Sequence, residues 1–92
     1  IANEPRPMRP AAIEAFKQFI ANTAAFIKKM DSNHLLTIGS EGLMGSENMQ
    51  VFEAVHADKN IDYATIHIWP KNWGWFSADE AETTFPIVQL RL

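Results

Sequence analysis

Glu4 stands between Asn3 and Pro5 in the opening stretch IANEPRP, Glu41 in GSEG, and His67 in IDYATIHIWP, two residues ahead of Trp69. All three tryptophans of the chain fall at positions 69, 73 and 75. A carboxyl group can act as an acid or as a nucleophile, and an indole offers a flat apolar face to a pyranose ring. Asn3, Arg6, Ser40 and Asn72 add polar groups beside them, which is the make-up of a sugar-binding cleft. Each feature also has a plainer explanation. Asn3-Glu4-Pro5 suits a helix N-cap followed by a first-turn acid. His67 fits a satisfied histidine in an apolar core, Arg6 a solvated loop cation, and Glu41 a surface acid. Trp73 and Trp75 fit a local aromatic core.

The chemistry is only available if separate elements deliver these groups to one place. PAAIEAFKQFIANTAAFIKKM puts Ile13, Phe16, Ile20, Ile27 and Met30 at helical spacing, with Thr23 and Ala24 in the same stripe. Pro10 suits its start, and Lys28 and Lys29 suit the negative end of its dipole. DSNH reads as a turn, LLTIGS as a short buried strand stopped by Gly39, and EGLMGSENMQ as a Gly-rich loop over the cleft. A second helix is expected from Ser46 and Glu47 to about Ala57, carried by Met49, Phe52 and Val55. ADKN is the next turn, IDYATIHIWP a second buried strand and KNWGWFS an aromatic loop. From Ala78 the chain begins like a helix, which Pro86 should end or kink.

The order is strand end, helix, strand, helix, strand, which predicts a parallel sheet with helices on its faces. In such α/β folds the working residues lie at the carboxyl ends of the strands, and Asn3, Glu4, Arg6, Glu41, His67, Trp69 and Trp73 all fall there. The strand ends at Asn3, Gly39 and His67 recur at intervals that eightfold repetition would bring to roughly 250 residues, the size of a (β/α)₈ barrel. A doubly wound sheet shows the same alternation. Three strands cannot close a barrel, so the chain reads as a piece of one.

Composition excludes several classes of function. A net charge of −3 without a basic stripe argues against nucleic acid or an anionic membrane as partner. The absence of cysteine excludes disulfides and thiolate metal sites, and no His/Asp/Glu spacing makes a convincing metal centre. No apolar run approaches the length that spans a bilayer.

NEPR after a strand, then MDSNHLLTIGSEG, then IDYATIHIWPKNWGW together resemble glycoside hydrolase family 5, most closely its endo-β-1,4-mannanase branch. The likeness covers residues 1 to about 76; 77–92 depart from the pattern. It implies one partial (β/α)₈ catalytic domain over 1–92, running from the end of the fourth strand to about the sixth helix. It also implies retaining endo-hydrolysis of β-mannan, galactomannan or glucomannan, without a cofactor, by a secreted, periplasmic or cell-surface protein. Matched by position, Glu4 is the general acid/base and Asn3 binds the 2-hydroxyl of the sugar being cleaved. Arg6 contacts hydroxyls on the leaving-group side, Glu41 contacts ligand or orients Arg6, and His67 lies close to the carboxylates. Trp69 stands where the family more often has Tyr, which keeps the ring but exchanges a hydroxyl for an N–H donor. Trp73 is the candidate sugar platform. The resemblance also calls for a nucleophilic Glu one βα unit beyond His67, and no residue here takes that part; Glu82 reads as a surface helix acid. A β-1,4-glucanase of the same family and a non-catalytic carbohydrate-binding remnant are the alternatives.

Overall fold

The computed structural model describes residues 1–42 and 49–75, with the single positions 79, 82, 86 and 89. Prolines 5, 7 and 10 bias the residues before them away from helix, and Arg9 is extended at φ −160°, ψ 156°. Pro10–Ala12 then form one 3₁₀ turn, closed where Ala12 N–H donates to Arg9 O at 2.9 Å, and helix α1 runs Ile13–Met30. Its last backbone bond is Asp31 N–H to Ile27 O, and Lys28 and Lys29 complement the final carbonyls. Asp31 Oδ1 then accepts from Asn33 N–H, which starts the turn. Helix α2 is described over Met49–His56; the expected start at Ser46 and Glu47, and the loop before it, lie outside the described residues.

The expected apolar stripe of α1 is buried only at its centre. Ile20 and Ala24 lose nearly all exposure, Phe16 is half-buried, and Met30 is 73% exposed, contrary to its expected place in the core. Ile20 meets Ile38 and Val55 in the central cluster, with Ile1, Phe16 and Ile61 packed around it. Both helices therefore meet the middle run at Ile38.

Those residues lie between two neighbouring runs of chain, all three pointing the same way. On one side Ile1 N, Ala2 N–H and Glu4 N–H donate to Thr37 O, Ile38 O and Gly39 O. On the other, Asp62 N–H and His67 N–H donate to Leu36 O and Glu41 O. The parallel order matches the expectation, but the strands do not: among the described residues no regular strand forms.

The reason lies in the rungs. A parallel ladder advances two residues on both sides between successive bonds from one strand. From Ala2 to Glu4 the donor advances two while the acceptor advances only one, from Ile38 to Gly39. Between Asp62–Leu36 and His67–Glu41 both sides advance five, an odd step that changes the phase of the ladder. Side chains take the positions between: Thr37 Oγ1 donates to Tyr63 O, Thr65 Oγ1 to Ser40 O, and Leu36 N–H to Asp62 Oδ2. The expected burial of 61–70 is corrected as well, since Tyr63, Ile66 and Trp69 are about half exposed, and Leu35 in the middle run is 75% exposed.

In the tail, Glu82, Pro86 and Gln89 all have helical backbone and are exposed. Helical conformation thus recurs at Gln89, beyond Pro86, where the sequence predicted an end or a kink; the residues between lie outside the described ones.

Candidate active site

The first run ends in an unusual conformation that aims a carboxylate. Gly39 holds φ +86°, and a Cβ built on it would sit 2.0 Å from Ala2 O, so only glycine lets the first run lie this close. Glu4 then takes φ +47°, a left-handed conformation rare for a side-chain-bearing residue, with its N–H bonded to Gly39 O at 3.0 Å. Strained backbone of this kind concentrates at functional sites.

The carboxyl group is engaged through both oxygens. Oε1 lies 2.7 Å from Nδ1 of His67, and Oε2 lies 3.7 Å from the guanidinium of Arg6. Glu4 and His67 each keep roughly a quarter of their side-chain surface exposed, 26% and 27%, so a ligand can reach them. Their hydrogen bond requires one proton, donated by Nδ1–H to a carboxylate or by a carboxylic acid to Nδ1. A proton held between two partly desolvated groups at a surface opening is what general acid–base chemistry needs.

The same guanidinium nitrogen, Nη2 of Arg6, lies closer to Glu41, at 2.8 Å from Oε1. Glu41 keeps only 8% of its side-chain surface, so this guanidinium supplies the charge compensation its burial demands. The approach is too oblique for a hydrogen bond, and Oε1 makes none among the described residues. One backbone bond ties Glu41, whose carbonyl accepts from His67 N–H at 3.1 Å, and the residues flanking it are joined where Gly42 N–H donates to Ser40 Oγ at 3.0 Å.

Four of the residues singled out in the sequence, Glu4, Arg6, Glu41 and His67, thus form one contiguous polar cluster at the same end of the three runs. The side chains of the other three take no part in its bonds. Asn3 is exposed and makes no side-chain hydrogen bond among the described residues. Trp69 is 52% exposed, and Trp73 leans on Trp75 with ring centroids 5.0 Å apart and planes at 58°. That pair rides on a tight turn in which Trp73 N–H donates to Trp69 O and Trp75 N–H to Pro70 O. Trp73 is half-buried in this packing.

Sequence reasoning named Ser40 among the polar groups but passed over Thr65, although a polar β-branched residue two before His67 in an otherwise apolar run was a usable signal. No group of three or more metal-ligating side chains occurs among the described residues. No described helix is long and apolar enough to cross a membrane.

A family model described as GH family 5 beta-mannosidase-like matches residues 1–90, reaching into the tail where the motifs run out. The mannan endo-1,4-beta-mannosidase 4 of Solanum lycopersicum is 34% identical over 83 residues, covering 79% of this chain and 21% of the relative. The mannan endo-1,4-beta-mannosidase A of Aspergillus aculeatus is 35% identical over 85 residues, covering 80% and 22%. The mannan endo-1,4-beta-mannosidase 2 of Arabidopsis thaliana is 34% identical over 88 residues, covering 79% and 20%. The chain spans about a fifth of the length of the curated relatives it matches.

Proposed function

The chain belongs to glycoside hydrolase family 5, in its beta-mannosidase-like group, and from that premise we propose that it carries the acid/base half of a retaining endo-β-1,4-mannanase site. The observation that carries the reading is the 2.7 Å contact between Glu4 and His67, next to the Arg6–Glu41 pair. In this reading residues 1–92 are part of one (β/α)₈ catalytic domain, and the three parallel runs are its fourth, fifth and sixth strand positions. The names of the relatives favour mannan over glucan as substrate. A polymer of that size is met outside the cell, so the reading also makes the protein secreted, periplasmic or displayed at the cell surface.

The chemistry follows from the arrangement. Glu4, protonated, donates to the glycosidic oxygen as the bond to the anomeric carbon breaks. A second carboxylate about 5–5.5 Å away attacks that carbon and holds the sugar as a covalent ester. Glu4, now ionised, takes a proton from water, whose oxygen displaces the ester with overall retention. His67 holds Glu4 in place through both changes of protonation, because Nδ1–H can donate to Oε1 whether Oε2 carries the acid proton or has given it up. Arg6 offers N–H groups to sugar hydroxyls on the leaving-group side, and Glu41 orients it. Asn3, exposed beside Glu4, is free to bond the 2-hydroxyl. Trp69 and Trp73 supply apolar faces.

Among the described residues no carboxylate stands ready as the nucleophile. Glu41 is committed to Arg6, and Glu82 is an exposed helical residue. The 92-residue chain alone is therefore expected to show no turnover of mannohexaose. With the remaining barrel units supplied, hydrolysis is expected with the β-anomer formed first. Glu4→Gln should lower kcat by about 10²–10⁴. Turnover by the chain alone that Glu4→Gln abolishes would refute the half-site reading. Faster cleavage of cellohexaose would make the protein a glucanase, and binding without cleavage by the completed barrel would make it a binding remnant.

A further inference from the structure

The run that carries His67 is not held by a regular ladder. Among the described residues it is tied to its neighbour by two backbone bonds, Asp62 N–H to Leu36 O and His67 N–H to Glu41 O, with side-chain bonds in the register between. Register matters here because a slip of one residue turns every side chain to the opposite face. His67 would then be replaced opposite Glu4 by Ile66 or Ile68.

The next tie before His67's own bond to Glu41 O is a hydroxyl. Thr65 Oγ1 donates to Ser40 O at 2.7 Å, two residues before His67 and one before Glu41. Ser40 is itself fixed: it is 6% exposed, and its own Oγ accepts from Gly42 N–H. The clamp therefore joins a rigid point of the middle run to the run bearing the imidazole.

We propose that Thr65 is a positioning residue for the acid/base chemistry: its hydroxyl sets the register that brings His67 Nδ1 onto Glu4. The inference rests on the reading of Glu4 and His67 given above, but its consequence is a contact that can be observed without substrate. Thr37 provides the control. Its Oγ1 makes the same kind of bond, to Tyr63 O at 2.8 Å, at the far end of the same pair of runs. If any hydroxyl rung sufficed, removing either would have the same effect.

The measurement is the change in the His67 imidazole ¹⁵N shifts caused by Glu4→Gln, read in the dilute, histidine-labelled chain and in each threonine variant. In the parent chain Glu4→Gln should move those shifts. In Thr65→Val, which keeps the β-branched shape but lacks the hydroxyl, His67 should become indifferent to Glu4→Gln. Thr65→Ser restores the hydroxyl and should restore the response, and Thr37→Val should leave it intact. Helix content by circular dichroism should be unchanged throughout. The proposal is overturned if the parent shows no response, if Thr65→Val keeps it, if Thr65→Ser loses it, or if Thr37→Val loses it equally. A Thr65→Val chain that loses its helices also counts against it, since a positioning residue leaves the fold standing. Failure of the completed barrel to hydrolyse mannan would sink the functional reading while leaving this contact measurable.

Discussion

Glu4 is held from its backbone and from both carboxyl oxygens at once. Its left-handed φ costs a residue with a side chain roughly 1–2 kcal/mol, and the bonds to Gly39 O and His67 offset it. The approach that permits this depends on Gly39. Gly39 and Gly74 both have positive φ, +86° and +72°, so alanine at either carries a similar conformational penalty of about 1–2 kcal/mol. Only at Gly39 does the new methyl collide with backbone, at Ala2 O; at Gly74 it meets open space. Gly39→Ala should therefore lower the urea midpoint clearly more than Gly74→Ala and displace residues 1–4. Equal midpoints for the two variants would mean that the close approach of the first run is not what Gly39 serves.

At the scale of elements, the end of the sheet-like layer opposite the site is fastened by Asp62. Its Oδ2 accepts from Lys28 Nζ at 2.6 Å and from Leu36 N–H at 2.7 Å, while Lys28 also donates to His34 O. One carboxylate thus joins the last turn of α1 to two of the three runs. The bond from Lys28, then that from Leu36 N–H, hold the Asp62 carboxyl below its ordinary 3.8. A depressed carboxylate stabilises the fold above its unfolded value, and that contribution disappears as pH falls through the lower folded value. Acidification from about pH 5 to below the folded value should thus destabilise the parent chain more steeply than Asp62→Asn, which has no such proton to take up. Parallel melting curves against pH for the two chains would show that Asp62 is a bystander.

At the scale of the whole molecule, apolar surface is left open on two sides. Phe19, Phe26 and Met30 are 51%, 65% and 73% exposed along α1, and Tyr63, Ile66 and Trp69 line the third run. An uncovered run with free backbone groups and apolar side chains is a template for pairing with another chain. The isolated chain should therefore self-associate with rising concentration, and Tyr63→Lys should reduce that association in sedimentation velocity. A strict monomer at all concentrations would contradict it. In the proposed barrel the neighbouring units would cover both surfaces.

Helix α1, the turn at 31–34, helix α2 and the chemical groups of the site were legible in the residues themselves. A helix makes its hydrogen bonds locally, so apolar spacing such as Ile13, Phe16 and Ile20 is enough to reveal it. That Glu4, Arg6, Glu41 and His67 come together at one end of the runs was legible too, since each stands at or just past the end of an extended run. A strand is different, because its hydrogen bonds belong to a partner. LLTIGS and IDYATIHIWP announce chain that runs beside other chain, but nothing local says whether the rungs fall in phase. Tertiary structure alone decided that Gly39 shifts the first register, that threonine hydroxyls replace backbone rungs, and that Met30 stays outside. It also decided that Arg6 leans on Glu41 at 2.8 Å and reaches Glu4 only at 3.7 Å. These outcomes depend on distances between residues far apart in the chain, and such distances exist only once α1, α2 and the three runs have packed around Ile38.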